Sequence, residues 1–334
     1  MNSQPVRRVA ATGLALVLCA LAGSSLASTR PTRVGVEIKA LDNPFFIAMF
    51  EGVKERAPKI GAKVTIKAAS SLSDTNGQGA GLAALVAHGY DCYLVNPISQ
   101  TNLIRPLRGV SKPIVNIDNP IAPAAARAAG VRVTSYIGTD NVTAGRLAGR
   151  EMLALLPHGG DIALIGGIAG HVTSAQRLGG FRDGVRGSRV RVVDQVAADW
   201  DRNKAWTVAA RLLRSHPSLD GFFAANDEMA LGIAEAVQLA GKTPSVRIIG
   251  VDGIKEALTA VRRGGISATV SQYPFAMGAM GVEACTAAAH GARLPVRVDS
   301  PIQLVTRANA ARALAEFPAP FRPYADPFVR LLPG

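Results

Sequence analysis

The sequence predicts a two-lobed, doubly wound α/β protein with parallel sheets. Three observations carry this. Short apolar, β-branched runs alternate with helical patterns from about residue 33 to residue 306, and such alternation means parallel strands joined by crossover helices. The alternation breaks and restarts near 140–160, where Pro157-His158-Gly159-Gly160 closes a long helix, so two similar runs follow one another. The strands end repeatedly in Asn, Asp, Gln or an aromatic residue, at the edge where open α/β sheets bind ligands.

Composition agrees with that class. The chain has 334 residues, 48% hydrophobic and 18% charged, which is globular and long enough for two ordinary domains. Arg7-Arg8 precede an uncharged apolar stretch, Val9 to Leu26, and Ser25-Leu26-Ala27 forms a small-residue cleavage site. Residues 1–27 therefore read as an export signal, with a mature chain from Ser28. No later segment is apolar enough for a bilayer. The net charge is +13, but the arginines are dispersed, without a basic run or interleaved aromatics. A solvated basic surface is expected, not a nucleic-acid partner. Cys92 lies in an apolar strand and Cys285 in an Ala-rich helix, and both are read as buried free thiols. The five His residues are scattered, none at ligand spacing to another. Neither a metal nor a cofactor is expected, and the histidines are assigned structural roles.

In chain order, Arg33 to Lys39 reads as a buried first strand. Leu41-Asp42-Asn43-Pro44-Phe45-Phe46 turns it into a helix with Phe46, Met49, Phe50 and Val53 on one face. The Asn-Pro pair marks the change, because Pro suits a first helical turn and keeps the residue before it out of the helical region. Then come a strand at 63–67, a helix at 75–88, a strand at 91–95 ending in Asn96-Pro97, and a helix through Leu107. The strand at 113–117 ends in Asp118-Asn119-Pro120, and a Pro/Ala-rich loop fills 121–129. The strand at 135–138 ends in Thr139-Asp140-Asn141 before a helix to about 156.

The second run opens with a strand at 161–165 that leads into Gly166-Gly167-Ile168-Ala169-Gly170. A helix spans 174–186, and the strand at 189–196 is followed by Ala198-Asp199-Trp200-Asp201. A helix at 202–215 precedes a strand at 221–224, which ends in Asn226-Asp227. The helix at 227–239 is stopped by Gly241. The strand at 246–251 ends in Asp252-Gly253, and the strand at 266–271 ends at Gln272. An Ala-rich helix from Pro274 to about 290 and a strand at 302–306 are left over. They fit if the chain returns to the first lobe after Gln272 and crosses again near 302. The lobes are then 28–139 plus 273–302 and 140–272 plus 303–308. The tail, 309–334, holds five prolines and no clear period, and is expected along the surface.

If the lobes face each other at their strand ends, one cleft collects Asn43, Phe45, Phe46, Asn96, Asp118, Thr139, Ile168, Trp200, Asn226, Asp252 and Gln272. That set suits a neutral polyhydroxyl ligand. Carboxylates accept hydroxyl hydrogen bonds, amides both donate and accept, and aromatic faces cover C–H faces. Each residue also has a plainer reading. Asn226 could cap a helix, Asp252-Gly253 could be a turn and Asp118 an Asx turn, Trp200 could be a surface anchor, and Arg177 could sit on a solvated helix face.

Seven stretches also carry a resemblance. They are Asp42-Asn43-Pro44-Phe45-Phe46, Val95-Asn96-Pro97, Asp140-Asn141, Gly167-Ile168-Ala169-Gly170, Ala198-Asp199-Trp200-Asp201-Arg202, Ala225-Asn226-Asp227-Glu228-Met229-Ala230-Leu231-Gly232 and Asp252-Gly253. With them the chain resembles the periplasmic sugar-binding proteins of ABC importers, of the ribose-binding type. The resemblance implies the type I periplasmic binding protein fold: two Rossmann-like lobes, three hinge strands, and closure on a ligand. It implies that Phe45, Phe46 and Trp200 sandwich a sugar ring, while Asn43, Asp118, Arg177, Asn226, Asp252 and Gln272 hold its hydroxyls. It also implies a monomeric binding protein of the periplasm, not an enzyme, that delivers a sugar or polyol to an inner-membrane ABC permease. Display of the closed form to a chemoreceptor or sensor kinase is the other output. Asn119, counted with the ligand-binding residues, stands where ribose binders have an Arg beside the Asp, and Val251 where they have a Phe, so which sugar or polyol is bound stays open.

Rivals from other classes fit less well. The Gly166–Gly170 loop, with Asp194 ending the next strand, has the neighbourhood of a dinucleotide site but not the G-x-G-x-x-G spacing. No G-x-S-x-G is present for a hydrolase. A sugar-responsive repressor would need a helix-turn-helix where the export signal stands.

Overall fold

The structure, a computed structural model, describes residues 1–2 and 30–333. The predicted signal peptide and its cleavage site lie outside the described residues. From Pro31 onward the chain is one compact unit built on two six-stranded sheets.

The first sheet holds β1 (Thr32–Ala40), β2 (Ala62–Ala69), β3 (Cys92–Val95), β4 (Ile114–Ile117), β5 (Ser135–Gly138) and the late strand β11 (Arg297–Asp299), in the order β11-β5-β4-β3-β1-β2. The second holds β6 (Gly160–Gly166), β7 (Val190–Ala197), β8 (Gly221–Ala224), β9 (Arg247–Asp252), β10 (Ala268–Ser271) and β12 (Gln303–Thr306), in the order β12-β10-β9-β8-β6-β7. Each sheet thus places its own strands in the order 2-1-3-4-5-6, the same doubly wound pattern twice. Every pairing is parallel except β10 with β12. Burial follows position. β3, β4, β8 and β10 are buried at every residue, as strands covered on both faces must be. The edge strands β2 and β7 largely alternate half-buried and exposed residues.

The crossover helices are α1 (Pro44–Lys59), α2 (Thr75–His88), α3 (Pro123–Ala128), α4 (Asn141–Leu155), α5 (Val172–Val185), α6 (Arg202–Ser215), α7 (Asp227–Leu239), α8 (Lys255–Arg263) and α9 (Pro274–Ala289). Side chains of Asn43, Asp74, Asp140, Asp201 and Asn226 cap α1, α2, α4, α6 and α7 by accepting from free backbone N–H groups. The leftover Ala-rich helix, α9, packs on α1 and over β3 and β4 of the first sheet. Gly52 permits the α1–α9 approach, since a Cβ there would lie 2.0 Å from the Phe275 carbonyl oxygen.

The chain passes between the sheets three times: after β5, after β10 and after β11. At these crossings the Thr139 and Ser300 hydroxyls meet at 3.1 Å, and the Tyr273 hydroxyl donates to Gln303 Oε1 at 3.0 Å.

Four expectations differ from what is found. Cys92 and Cys285 form a disulfide with Cα atoms 5.5 Å apart. They are 193 positions apart, and only the return of α9 onto β3 brings them together. Residues 98–107 form hydrogen-bonded turns instead of a helix, and the Pro/Ala-rich loop contains the short helix α3. The tail does more than lie on the surface: it forms α10 (Ala310–Glu316) against α8 and β12, then buries Phe321 and Phe328. Phe321 meets Tyr273 edge to face, with centroids 6.3 Å apart.

Candidate functional site

Loops at the C-terminal ends of both sheets enclose a cavity of about 70 Å³. At roughly 10–15 Å³ per water-sized occupant, it suits a small compact molecule. Seven residues line it from each side. From the first sheet come Lys39, Asn43, Phe45, Phe46, Leu72, Ile98 and Asp118. From the second come Ile168, His171, Thr173, Arg177, Trp200, Asn226 and Asp252.

The backbone at this edge is bent to aim side chains inward. Asp118, Trp200 and Asp252 all have positive φ (60°, 66° and 137°), a conformation costly for residues other than Gly and concentrated at functional sites. Trp200 lies flat against Gly167, where a Cβ would come within 2.0 Å of the indole. The Gly-rich loop of the second lobe therefore makes room for a ring instead of cradling a phosphate. Phe45 and Phe46 meet edge to face, with centroids 5.1 Å apart, and form the aromatic wall of the first lobe.

Two ion pairs set the electrostatics. Lys39 Nζ donates to Asp118 Oδ2 at 2.8 Å and lies 4.9 Å from the Phe46 centroid. In the other lobe, Arg177 is 4% exposed. Its guanidinium donates to Asn141 Oδ1 (2.8 Å), the Ala225 carbonyl (2.6 Å) and Gln272 Oε1 (2.8 Å), and reaches Asp252 Oδ1 at 3.4 Å. Gln272 Nε2 also donates to Asp252 Oδ1, at 2.5 Å. Burial pushes the Asp252 carboxyl well above the usual carboxylate range, and Arg177 opposes that shift. Behind it the fully buried Asp227 accepts from the Gly253 and Ile254 N–H groups and the Thr269 hydroxyl, which fixes the turn that presents Asp252. Burial lifts Asp227 to about 6.

Nine of the residues expected from sequence line this cavity: Asn43, Phe45, Phe46, Asp118, Ile168, Arg177, Trp200, Asn226 and Asp252. Asn43 and Asn226 are at once helix caps and lining residues. Four others stand off it. Asn96 is buried, with its amide nitrogen 3.3 Å from Met49 Sδ. Asn119 donates to the Pro97 and Ile98 carbonyls and so braces the neighbouring loop. Thr139 belongs to the crossing with Ser300, and Gln272 orients Arg177 and Asp252 from behind. Position at a strand end fixes where the backbone is, while these side chains turn toward helix or hinge. Lys39 and His171 line the cavity without having been expected there. For Lys39 the available signal was a buried lysine in an apolar strand, four residues before Asn43. For His171 it was a place directly after the Gly-rich loop. Among the described residues no His, Cys, Asp and Glu cluster could hold a metal, and no helix is long and apolar enough to cross a membrane.

Residues 34–293 match the periplasmic binding protein domain. The chain belongs to that family. Its members bind solutes and are not enzymes. A ribose import binding protein of Bacillus subtilis is 31% identical over 277 residues, 82% of this chain and 87% of the relative. A D-allose-binding periplasmic protein of Escherichia coli is 35% identical over 253 residues, 74% of this chain and 81% of the relative. Among solved structures, a periplasmic solute-binding protein of an Actinobacillus succinogenes ABC transporter, with D-allose bound, superposes with a TM-score of 0.81 at 26% identity. That match covers 84% of this chain and 99% of the neighbour. This periplasmic binding protein thus shares its two-lobed α/β fold with known sugar binders.

Proposed function

We propose that this protein captures a monosaccharide or small polyol between its lobes and delivers it to an ABC permease in the inner membrane. The observation that carries this is the cavity, lined equally by both lobes with two carboxylate–cation pairs and three aromatic rings. A ligand touching both lobes binds the closed arrangement better and shifts the population toward it. In this reading Phe45, Phe46 and Trp200 cover the C–H faces of the ring. Lys39, Asn43, Asp118, Arg177, Asn226 and Asp252 meet its hydroxyls. The functional lobes are 28–139 plus 273–302 and 140–272 plus 303–308. The chain is exported, cleaved after Ala27 and active in the periplasm as a monomer, and the permease reads its closed surface.

The sequence placed an Asn where ribose binders have an Arg beside the Asp. Lys39 now supplies a cation at that carboxylate from another strand, so the polarity of the pocket is kept while its shape changes. The test is thermal unfolding of residues 28–334 against D-ribose, D-allose, D-arabinose, myo-inositol and NAD. A ligand at 1,000 times its Kd adds about 4 kcal/mol, a rise of several degrees. Such a rise with a sugar or polyol is expected. A rise with NAD alone, or with none of the five, refutes the reading.

A further inference from the structure

His171 stands out among the lining residues because its hydrogen bonding is incomplete. It lies between Gly170, which has φ of 78°, and the first turn of α5. Its ring meets Trp200 edge to face, with centroids 5.5 Å apart. Across the cleft the Ile98 carbonyl faces the imidazole and favours its protonated form. Nδ1 is buried and has no partner. A neutral imidazole has one donor and one acceptor nitrogen. In the tautomer that carries its proton on Nε2, Nδ1 is an acceptor removed from water and left unpaired, in a residue that lines the cavity. A buried polar atom in that state is costly unless something satisfies it. A carbohydrate hydroxyl, which can donate, satisfies it. An ether oxygen or a C–H at the same place cannot.

We propose that His171 is a specificity-determining residue, which accepts a hydrogen bond from one free hydroxyl of the bound sugar. This rests on the sugar-binding reading above and narrows it to ligands with an unsubstituted hydroxyl on the edge that faces His171. The ring must be neutral to accept. Burial holds it that way, pushing its pKa down to about 4; Lys39 and Arg177 act in the same direction, and Asp118 and the Ile98 carbonyl oppose them. Protonation therefore competes with ligand. Affinity should fall as pH drops below 5 and through about 4, and the part of that fall due to His171 should vanish when the ring nitrogens are removed. Asp118 and Asp252 are common to wild type and variant, so their contribution cancels in the comparison.

The experiment is calorimetry on the mature protein and on His171→Phe and His171→Gln, with D-ribose, D-allose and their monodeoxy derivatives at pH 7 and pH 4. Phe keeps a ring against Trp200, and Gln restores an acceptor. We expect the Phe variant to bind the best sugar at least about tenfold more weakly, which is about 1.4 kcal/mol. It should no longer discriminate against one particular monodeoxy derivative that wild type rejects. Gln should recover part of both effects. If wild type binds sugar and the Phe variant matches it in affinity, in rejection of every deoxy derivative and in pH dependence, His171 is structural and the proposal fails alone. If wild type binds none of these sugars, the sugar-binding reading falls and this proposal with it.

Discussion

Replacing Glu37 with Gln should change the response of the fold to pH by an amount the structure sets. Glu37 lies in β1, is 1% exposed, and has no hydrogen-bond partner on either carboxylate oxygen. It packs on α2 so closely that a Cβ at Gly81 would be 2.8 Å from Oε2. Burial pushes its pKa from 4.5 to about 8, with Lys67 the opposing charge. Because the folded-state pKa is the higher one, the native protein holds a proton that the unfolded chain has released between pH 4.5 and 8. Stability is then full below about pH 4.5 and is lost as pH rises through about 8, at about 1.4 kcal/mol per unit. Over that window the loss amounts to about 5 kcal/mol. Gln has nearly the same shape and never ionises, so Glu37→Gln should match wild type near pH 5 and exceed it by several kcal/mol at pH 8. Urea unfolding followed by circular dichroism at pH 5, 6, 7 and 8 reads this difference. Fluorescence is the wrong probe, since Trp200 and Trp206 both belong to the second sheet's lobe. A gap between variant and wild type that stays constant across pH would refute the reasoning.

Two further outcomes are expected. Arg177→Ala should abolish sugar binding and also lower stability by about 3–5 kcal/mol, because it strands the buried Asp252 carboxyl; unchanged urea midpoints would show that Asp252 does not depend on the guanidinium. Phe328→Ala, in a tail composed like a linker, should cost about 3–5 kcal/mol because the ring is fully buried; a midpoint within error of wild type would show that the tail is dispensable.

The alternation of strand and helix patterns was enough to expect two doubly wound lobes, because burial on both faces of a parallel sheet writes itself as continuous apolar runs. Clustering of Asn, Asp and aromatics at strand ends was enough to find nine cavity residues. It could not separate Asp252, which faces the cavity, from Gln272, which backs it, because both end adjacent strands and only backbone twist distinguishes them. Lys39 was hidden because a lysine inside a strand is ordinarily an edge or surface residue. His171 was hidden because no histidine neighbour gave it a pattern, and its incomplete hydrogen bonding exists only once Ile98 faces it. The Cys92–Cys285 pairing was invisible for a different reason. Local sequence says what each cysteine is buried in, not which distant helix will come to lie on which strand. The tail misled in the same way, since its prolines spoke of irregular backbone and were silent about Phe321 and Phe328 docking on a finished surface.

The disulfide has a topological consequence. It joins β3 to α9, and the chain between them includes all of β6 to β10. The second lobe, save β12, is therefore a loop hung from a covalent ring that closes on the first. The bond can be made only after the chain has come home and α9 lies against β3. It also means that a single cut anywhere in the second lobe between those cysteines yields two pieces that remain one molecule. Loss of a lobe by proteolysis in an exposed compartment then requires two events, or one cut and a reductant.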